Sequence, residues 1–537
     1  MARFRIHRPI FPFFRKLFVL LMPAAAWALP FANGGFESGM TNWTTAVKPG
    51  AVATLGTIIE RNHSGGNCLK VSIAGNGNQD SLARLVSGPI VLDTGRIYML
   101  RFWSVAKSRA ALVDLRIGAN GSFRRCHFEI YDSDGPWHRY QYLFKPTVKD
   151  AAITMVFGTA TDYYLDDVEL LDEQDTLLDI KTQYMWQSLH VGWGWISGDN
   201  DVSMPLPDGR NAWILNDSFT GMVNDQSNVL KDVKMINNLI VIEEHKPNPT
   251  LSAIFAGVAG APKPLFPPGA LTIYWIADAM VAGNTFQILL QEWNVAFDFN
   301  HSAFIATLSL PDLKVQSVVK TAYKGPDIPN ALLPDKGYTY IYTANRPDKV
   351  QRNTRIARVP AGSFDPKAPW EFMAADGSWT TDSLKAARML TGVEIASAVK
   401  LGDSNYVFSG IGSPGDALEV RFAKTPIGPW TAPVSVYKPP QEAGIIPYLG
   451  HIHRGLKQDG VYTLSYSLFP ATGGWFQQLS DRGCYMPQYV KVNLEKLSPY
   501  TKKTPTRLAR RPPAHSGHGL TPLADHLLTG RKLQHPK

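Results

Sequence analysis

Cysteine is nearly absent from this chain: Cys68, Cys126 and Cys484 are the only three in 537 residues. That scarcity excludes a scaffold built on disulfides, and no Cys/His spacing has the form of a zinc site. Cys68 and Cys126 fall in one proposed domain, which leaves a single disulfide open, and Cys484 then reads as a small core residue. Long apolar runs are also missing. The one near the N-terminus, Leu17 to Met22, is well short of the ~20 residues a membrane span needs. Charged residues make up only 18% of the chain, and helical periodicity is almost absent between Asn33 and Leu171. The formal charge of +9 does not describe a basic surface. Residues 1–28 contribute +5 and residues 501–537 contribute +7, so about −3 remains for the body between them. A nucleic-acid-binding face is therefore not expected there.

What is present points to export and to β-structure. Arg3, Arg5, Arg8, Arg15 and Lys16 precede the short apolar run, and Ala26-Trp27-Ala28 has the small-x-small form of a cleavage site. Residues 1–28 therefore read as a signal peptide, and the protein as secreted, extracellular or periplasmic. The 44 Gly and 39 Pro are spread along the chain, as many short strands joined by tight turns require. The length predicts at least two domains. An all-β protein is expected: a jelly-roll β-sandwich over 29–174, a five-bladed β-propeller, or else a second large sandwich, over 175–500, and a basic, Pro-rich tail over 501–537 expected to be disordered.

In the first domain, Ile97 to Trp103, Phe123 to Tyr131, Tyr140 to Phe144 and Ile153 to Phe157 are β-rich runs. Asn33-Gly34-Gly35-Phe36-Glu37 with Trp43, and Tyr163-Tyr164-Leu165-Asp166-Asp167-Val168-Glu169-Leu170, stand at its two ends. Together they resemble the first and last strands of carbohydrate-binding modules of families 4 and 9. The resemblance implies sugar binding and a structural calcium ion near the paired strands. Glu37, Asp166 and Asp167 supply suitable hard-oxygen ligands, or alternatively the aspartates cap a strand end.

A hinge opening with Asp172-Glu173-Gln174-Asp175 leads to five aromatic-rich units near 186–245, 270–311, 336–375, 392–440 and 446–495. Gly198-Asp199-Asn200-Asp201 through Pro207-Asp208-Gly209-Arg210, then Trp213 to Phe219, reads as a hairpin with an Asp-Gly turn. With Ile236-Asn237-Asn238, Ile356 to Pro360, Trp370-Glu371-Phe372 and Gly428-Pro429-Trp430, it resembles bacterial propeller domains related to family-43-like glycoside hydrolases, some of them endo-D-arabinanases. Asn216 departs from a glycine in that pattern and leaves Asp217 in place.

Glycoside hydrolysis needs two carboxyl groups, one of them kept protonated near neutral pH. Asp199, close after Trp193, Gly194 and Trp195, is the expected base, or else a turn aspartate. Glu394, within the apolar run Met389 to Val399, is the expected acid, because a lone carboxylate there is costly to bury ionised. The resemblance places an acidic glutamate similarly. Asp217, Asp278 and Glu292 are further pocket candidates, or else structural residues. His451 is expected to hydrogen-bond in the central pocket, and Trp43, Trp103, Trp137, Trp193 and Trp195 to stack on sugar rings. No catalytic cofactor is expected. The partner is a polysaccharide or oligosaccharide, with neither nucleic acid nor a membrane span. An exported glycoside hydrolase leads, with a non-catalytic sugar-binding or adhesion protein as the alternative.

Overall fold

Alternation of apolar and polar residues builds the first domain. In the strand Ala111–Ile117 every second side chain is buried and the intervening ones face outward, the period that one covered sheet face demands. The computed structural model describes residues 32–501 except 76–77, 109–110, 120–123, 131–134, 176, 189–191, 225, 245–249, 347–351, 362–363, 394–395, 413–414, 472–478 and 480, and except the side chains of 78–81 and 124. The proposed signal peptide, Glu394 and nearly all of the tail lie outside the described residues. The described residues up to Tyr500 form one compact unit.

The N-terminal domain is a β-sandwich of two five-stranded antiparallel sheets. One sheet has the order Trp43–Val47, Asn78–Ser87, Ile153–Thr159, Ala111–Ile117, Arg124–Ile130. The other has the order Val52–Ile58, Cys68–Ala74, Asp162–Asp172, Tyr98–Ala106, His138–Phe144. Phe102, Phe128, Tyr140, Phe157 and Tyr163 pack between them, each worth roughly 1.5–3 kcal/mol on burial. Cys68, Cys126 and Cys484 are buried and none of them is in a disulfide. Cys68 and Cys126 lie in different sheets, which answers the disulfide left open by the sequence.

Five antiparallel sheets follow as the blades of a propeller. Their inner strands are Gly192–Pro205, Thr272–Ala282, Ile328–Asp335, Ser397–Gly402 and Ile445–Gln458, each touching the next round a closed ring. Apolar clusters seal the blade junctions, such as Val202, Ile214, Ile276 and Ile288 between the first two. The expected units were shifted in places. The third blade begins eight residues earlier than expected, because Ile328–Asp335 carries two prolines and reads weakly as a strand. The fifth sheet has only three long strands, Ile445–Gln458, Val461–Pro470 and Gln488–Asn493. Leu178 pairs with Val490, with Asp179 N donating to Tyr489 O and Lys491 N to Leu177 O. A segment from the start of the domain thus completes the last blade and closes the ring.

The expected hinge is not a free tether. Asp172 is buried and takes an ion pair from Arg96 at 2.9 Å. The helix Ile180–Ser188 then packs Ile180 against Met99, Leu143 and Leu171 on the outer face of the sandwich. Gln187 bonds both the N–H and the carbonyl of Leu143, and Gln141 donates to Gln488. The strand His138–Phe144 is consequently buried on both faces, one by the sandwich core and one by the propeller.

Candidate active site

The inner strand of blade one is irregular where its chemistry lies. Its pairing with the neighbouring strand slips three times between Trp195 and Val202, and Asp199 comes opposite Asn216. Asn200 (φ 54°), Asp217 (φ 28°) and, from blade five, Leu449 (φ 61°) hold left-handed backbone conformations. Such strain in non-glycine residues costs of order 1–3 kcal/mol each and gathers at functional sites. Gly198 has no room for a side chain, since a Cβ there would lie 2.6 Å from Ser218 Oγ.

These distortions bring Asp199 and Asp217 together. Tyr448 donates its hydroxyl to Asp199 Oδ2, and Tyr485 bonds the same carboxylate. Asp217 Oδ1 accepts from Asn237 Nδ2 at 2.9 Å and from Trp275 Nε1 at 3.0 Å. Asp199, Asp217, Asn237, Trp275 and Tyr448 all keep a partly exposed face although protein surrounds them, so they line a recess. Burial pushes the Asp199 carboxyl up to about 7, the Asp217 charge adds to the rise, and the two tyrosine hydrogen bonds oppose it. Asp217 is likewise raised by burial, against the bonds from Asn237 and Trp275. Two neighbouring carboxyls of this kind titrate as a pair rather than independently.

Deeper on the axis the acids are neutralised. Asp278 receives both arms of the Arg454 guanidinium, at 2.9 and 2.7 Å, and the N–H of Leu332 at 2.7 Å. Arg454 also donates to the carbonyls of Ala279 and Leu332, so a blade-five side chain ties blades two and three across the axis. Asp278 is thus a structural ion-pair partner rather than the pocket acid expected. Ser203, His453 and Asp201 form another buried set, with Ser203 Oγ 3.0 Å from His453 Nδ1 and His453 Nε2 3.5 Å from Asp201 Oδ2. All three are essentially inaccessible, and burial holds His453 well below the usual histidine range. This arrangement joins blades one and five and offers no nucleophile to solvent.

Other expectations are corrected by burial. His451 is 2% exposed on the axis and pushed down to about 4 by desolvation, so it is a neutral core residue that substrate does not reach. Trp195 packs edge-on against Trp186, and Trp43 stacks on Phe36 with its indole N–H on Asn33 O. Neither is a sugar platform. Trp193 is half-buried against Phe255, and Glu292 lies on the second strand of blade two opposite Tyr274. Trp103 and Trp137 lie on the sandwich beside His63. Sequence reasoning gave no role to Tyr448, Tyr485, Asn237 or Trp275. Trp275 and Tyr448 stood beside residues already singled out, whereas Tyr485, at the end of the short turn Arg482–Tyr485, had no local signal.

The three acids of the sandwich converge on one loop. Glu37 accepts from the N–H groups of Gly66 and Asn67, Asp166 from those of His63 and Ser64, and Asp167 pairs with His63 Nδ1 at 2.6 Å. Burial raises Asp166 to about 6, and backbone bonds lower Glu37. Donors already occupy these oxygens, and among the described residues no group of three His, Cys, Asp or Glu side chains is arranged to hold a metal ion.

The profile of a domain of unknown function, DUF5005, matches residues 183–496, more than half of the chain. The chain belongs to that family. The DUF5005 region begins within the helix Ile180–Ser188 and contains all five blades. No curated protein matches the sequence. Among solved structures, a Bacteroides ovatus ATCC 8483 protein provisionally described as a hydrolase is 20% identical. The match covers 60% of this chain and 91% of that one, with a TM-score of 0.50, which shows a shared fold. A family 4 carbohydrate-binding module (19% identity, 26% of this chain, 99% of that chain, TM-score 0.23) is also similar. So is the GH43_1 enzyme of Xanthomonas citri solved with xylotriose (11%, 57%, 88%, 0.32). No helix among the described residues is long and apolar enough to cross a membrane.

Proposed function

We propose that the protein is a glycoside hydrolase that works in the recess of the propeller. The observation that carries this reading is the Asp199–Asp217 pair: two raised, mutually repelling carboxyls, each with a solvent-touched face and none of the cationic pairing given to Asp278. A carboxyl pair that shares a proton near pH 7 has one member ready to donate it and one ready to accept, which acid–base cleavage of a glycosidic bond requires. Asp199 was first assigned as a plain base. Its upward shift makes it part-protonated at neutral pH, so activation of water falls to the pair rather than to Asp199 alone. Glu394 is proposed as the acid that protonates the leaving oxygen.

The resemblance to arabinan-degrading propellers supports a furanose-containing polysaccharide as substrate, with the sandwich holding the protein on it. We also propose export through residues 1–28. The test of function is reducing-sugar release from a panel of arabinans, xylans and glucans. Wild type should release sugar from at least one, and Asp199→Asn and Glu394→Gln should each lose about 10²–10⁴ in rate. The binding-protein reading is favoured by one observation, that Tyr448, Tyr485, Asn237 and Trp275 already satisfy both aspartates. Binding to a glycan of the panel without sugar release would select it.

A further inference from the structure

The outer face of the sandwich sheet is not an open surface. At one end Met99, Leu143 and Leu171 are buried beneath Ile180 of the propeller's first helix. At the other end Trp137 stands edge-on to His63, with Ile58 packed on Cys68, Val105 and Tyr164 beside it. Between these stops lies a cavity of about 420 Å³, within the roughly 300–1,000 Å³ range of ligand pockets. Its aromatic floor is the His63 imidazole, which stacks at 3.8 Å and 17° on the buried Trp103 beneath it. Arg101 and Glu169 rise from the sheet, and the propeller contributes Pro440 and Gln441 as the opposite wall.

The charges of this cavity are paired within the protein. Arg101 meets Glu169 at 2.5 Å and His63 meets Asp167 at 2.6 Å. Arg139 lies beside Glu442 and hydrogen-bonds Tyr466. Each of these charged side chains thus has a partner within the protein. Both Arg101 bonds fall on Oε2 of Glu169, which leaves Oε1 as an acceptor next to the guanidinium donors. An adjacent donor and acceptor above an aromatic floor match a ring that is apolar on its face and carries neighbouring hydroxyls on its edge.

We propose that this cavity is a composite binding site for a neutral saccharide, completed by the propeller and blocked at both ends, so that it takes a chain terminus or a short oligosaccharide rather than a chain running across the sheet. The inference rests on the carbohydrate reading of the sandwich and narrows it to the end of a glycan. It does not depend on hydrolysis in the propeller.

The test uses the full-length Asp199→Asn protein, so that no probe is consumed. Binding of xylose, arabinose, glucose and galactose, and of their di- and hexasaccharides, is measured by calorimetry and saturation-transfer NMR. At least one series should bind, and its hexasaccharide should bind no more tightly than its disaccharide. Arg101→Ala on the sandwich and Gln441→Trp at an exposed position of the propeller should each weaken it on the order of tenfold or more. Melting temperatures of the two variants should stay close to the parent. No binding in any series, affinity that climbs with chain length, or binding that survives both substitutions would each overturn the proposal. Loss of hydrolysis in Asp199→Asn bears only on the propeller reading, so the two failures remain distinguishable.

Discussion

The mouth and the middle of the propeller axis treat the same chemical group in opposite ways. In the middle, Asp278 is buried and clasped by Arg454, which cancels its charge. At the mouth, Asp199 and Asp217 face each other with tyrosine, asparagine and tryptophan donors, on strained backbone and in partial contact with solvent. A buried ion pair that bridges blades serves the fold. Two carboxyls left to repel each other destabilise the fold in order to hold a proton near neutral pH, the pattern expected of a reactive centre.

The largest effect should come from breaking the middle. Arg454→Met leaves Asp278 buried without its counter-charge, a loss of about 3–5 kcal/mol, and should lower the melting temperature on the order of 10 °C or leave the protein insoluble. A thermal melt that barely moves would show that Arg454 does not bridge the blades.

At the mouth the sign should reverse. The Asp199 carboxyl titrates near 3.8 when unfolded and about 7 when folded. The stability it contributes is therefore fully present below pH 3.8 and lost as pH rises through 7. Asp199→Asn escapes that loss, so it should melt higher than wild type at pH 8, by on the order of 1–4 kcal/mol, and match it at pH 4. A variant less stable than wild type at pH 8 would place Asp199 with Asp278.

Smaller effects sharpen the contrast. Tyr448→Phe removes a bond that favours the ionised form of Asp199, so the acidic limb of the activity profile should move to higher pH, with a stability cost of about 1 kcal/mol. Deleting 501–537, proposed as a tail that does not pack, should change melting by less than about 0.5 kcal/mol.

The two architectures were legible because period-2 patterning and turn chemistry are local. The strand runs at 97–103, 140–144 and 153–157 coincide with observed strands, and the Asp208-Gly209 turn is present with Gly209 at φ 88°. The helix Ile180–Ser188 escaped because its apolar residues follow no helical stripe: it is held between two domains and buries opposite sides. The site was half legible. Asp199 and Asp217 sit in one hairpin, so one stretch of sequence names both, whereas all the partners that set their chemistry except Asn237 come from blades two and five and from the Arg482–Tyr485 turn. Asp278 misled because an isolated acid in an apolar strand looks the same in sequence whether its arginine lies 176 positions away or nowhere.

The central claim is that Asp199 and Asp217 share a proton in the folded protein, and it can be measured without knowing the substrate. Full-length protein labelled with ¹³C at the aspartate carboxyls is titrated by NMR, the Asp199 signal being assigned by its loss in Asp199→Asn. A midpoint close to 7 that falls in Asp217→Asn is the expected result. A midpoint near 3.8, unchanged by that substitution, would contradict it.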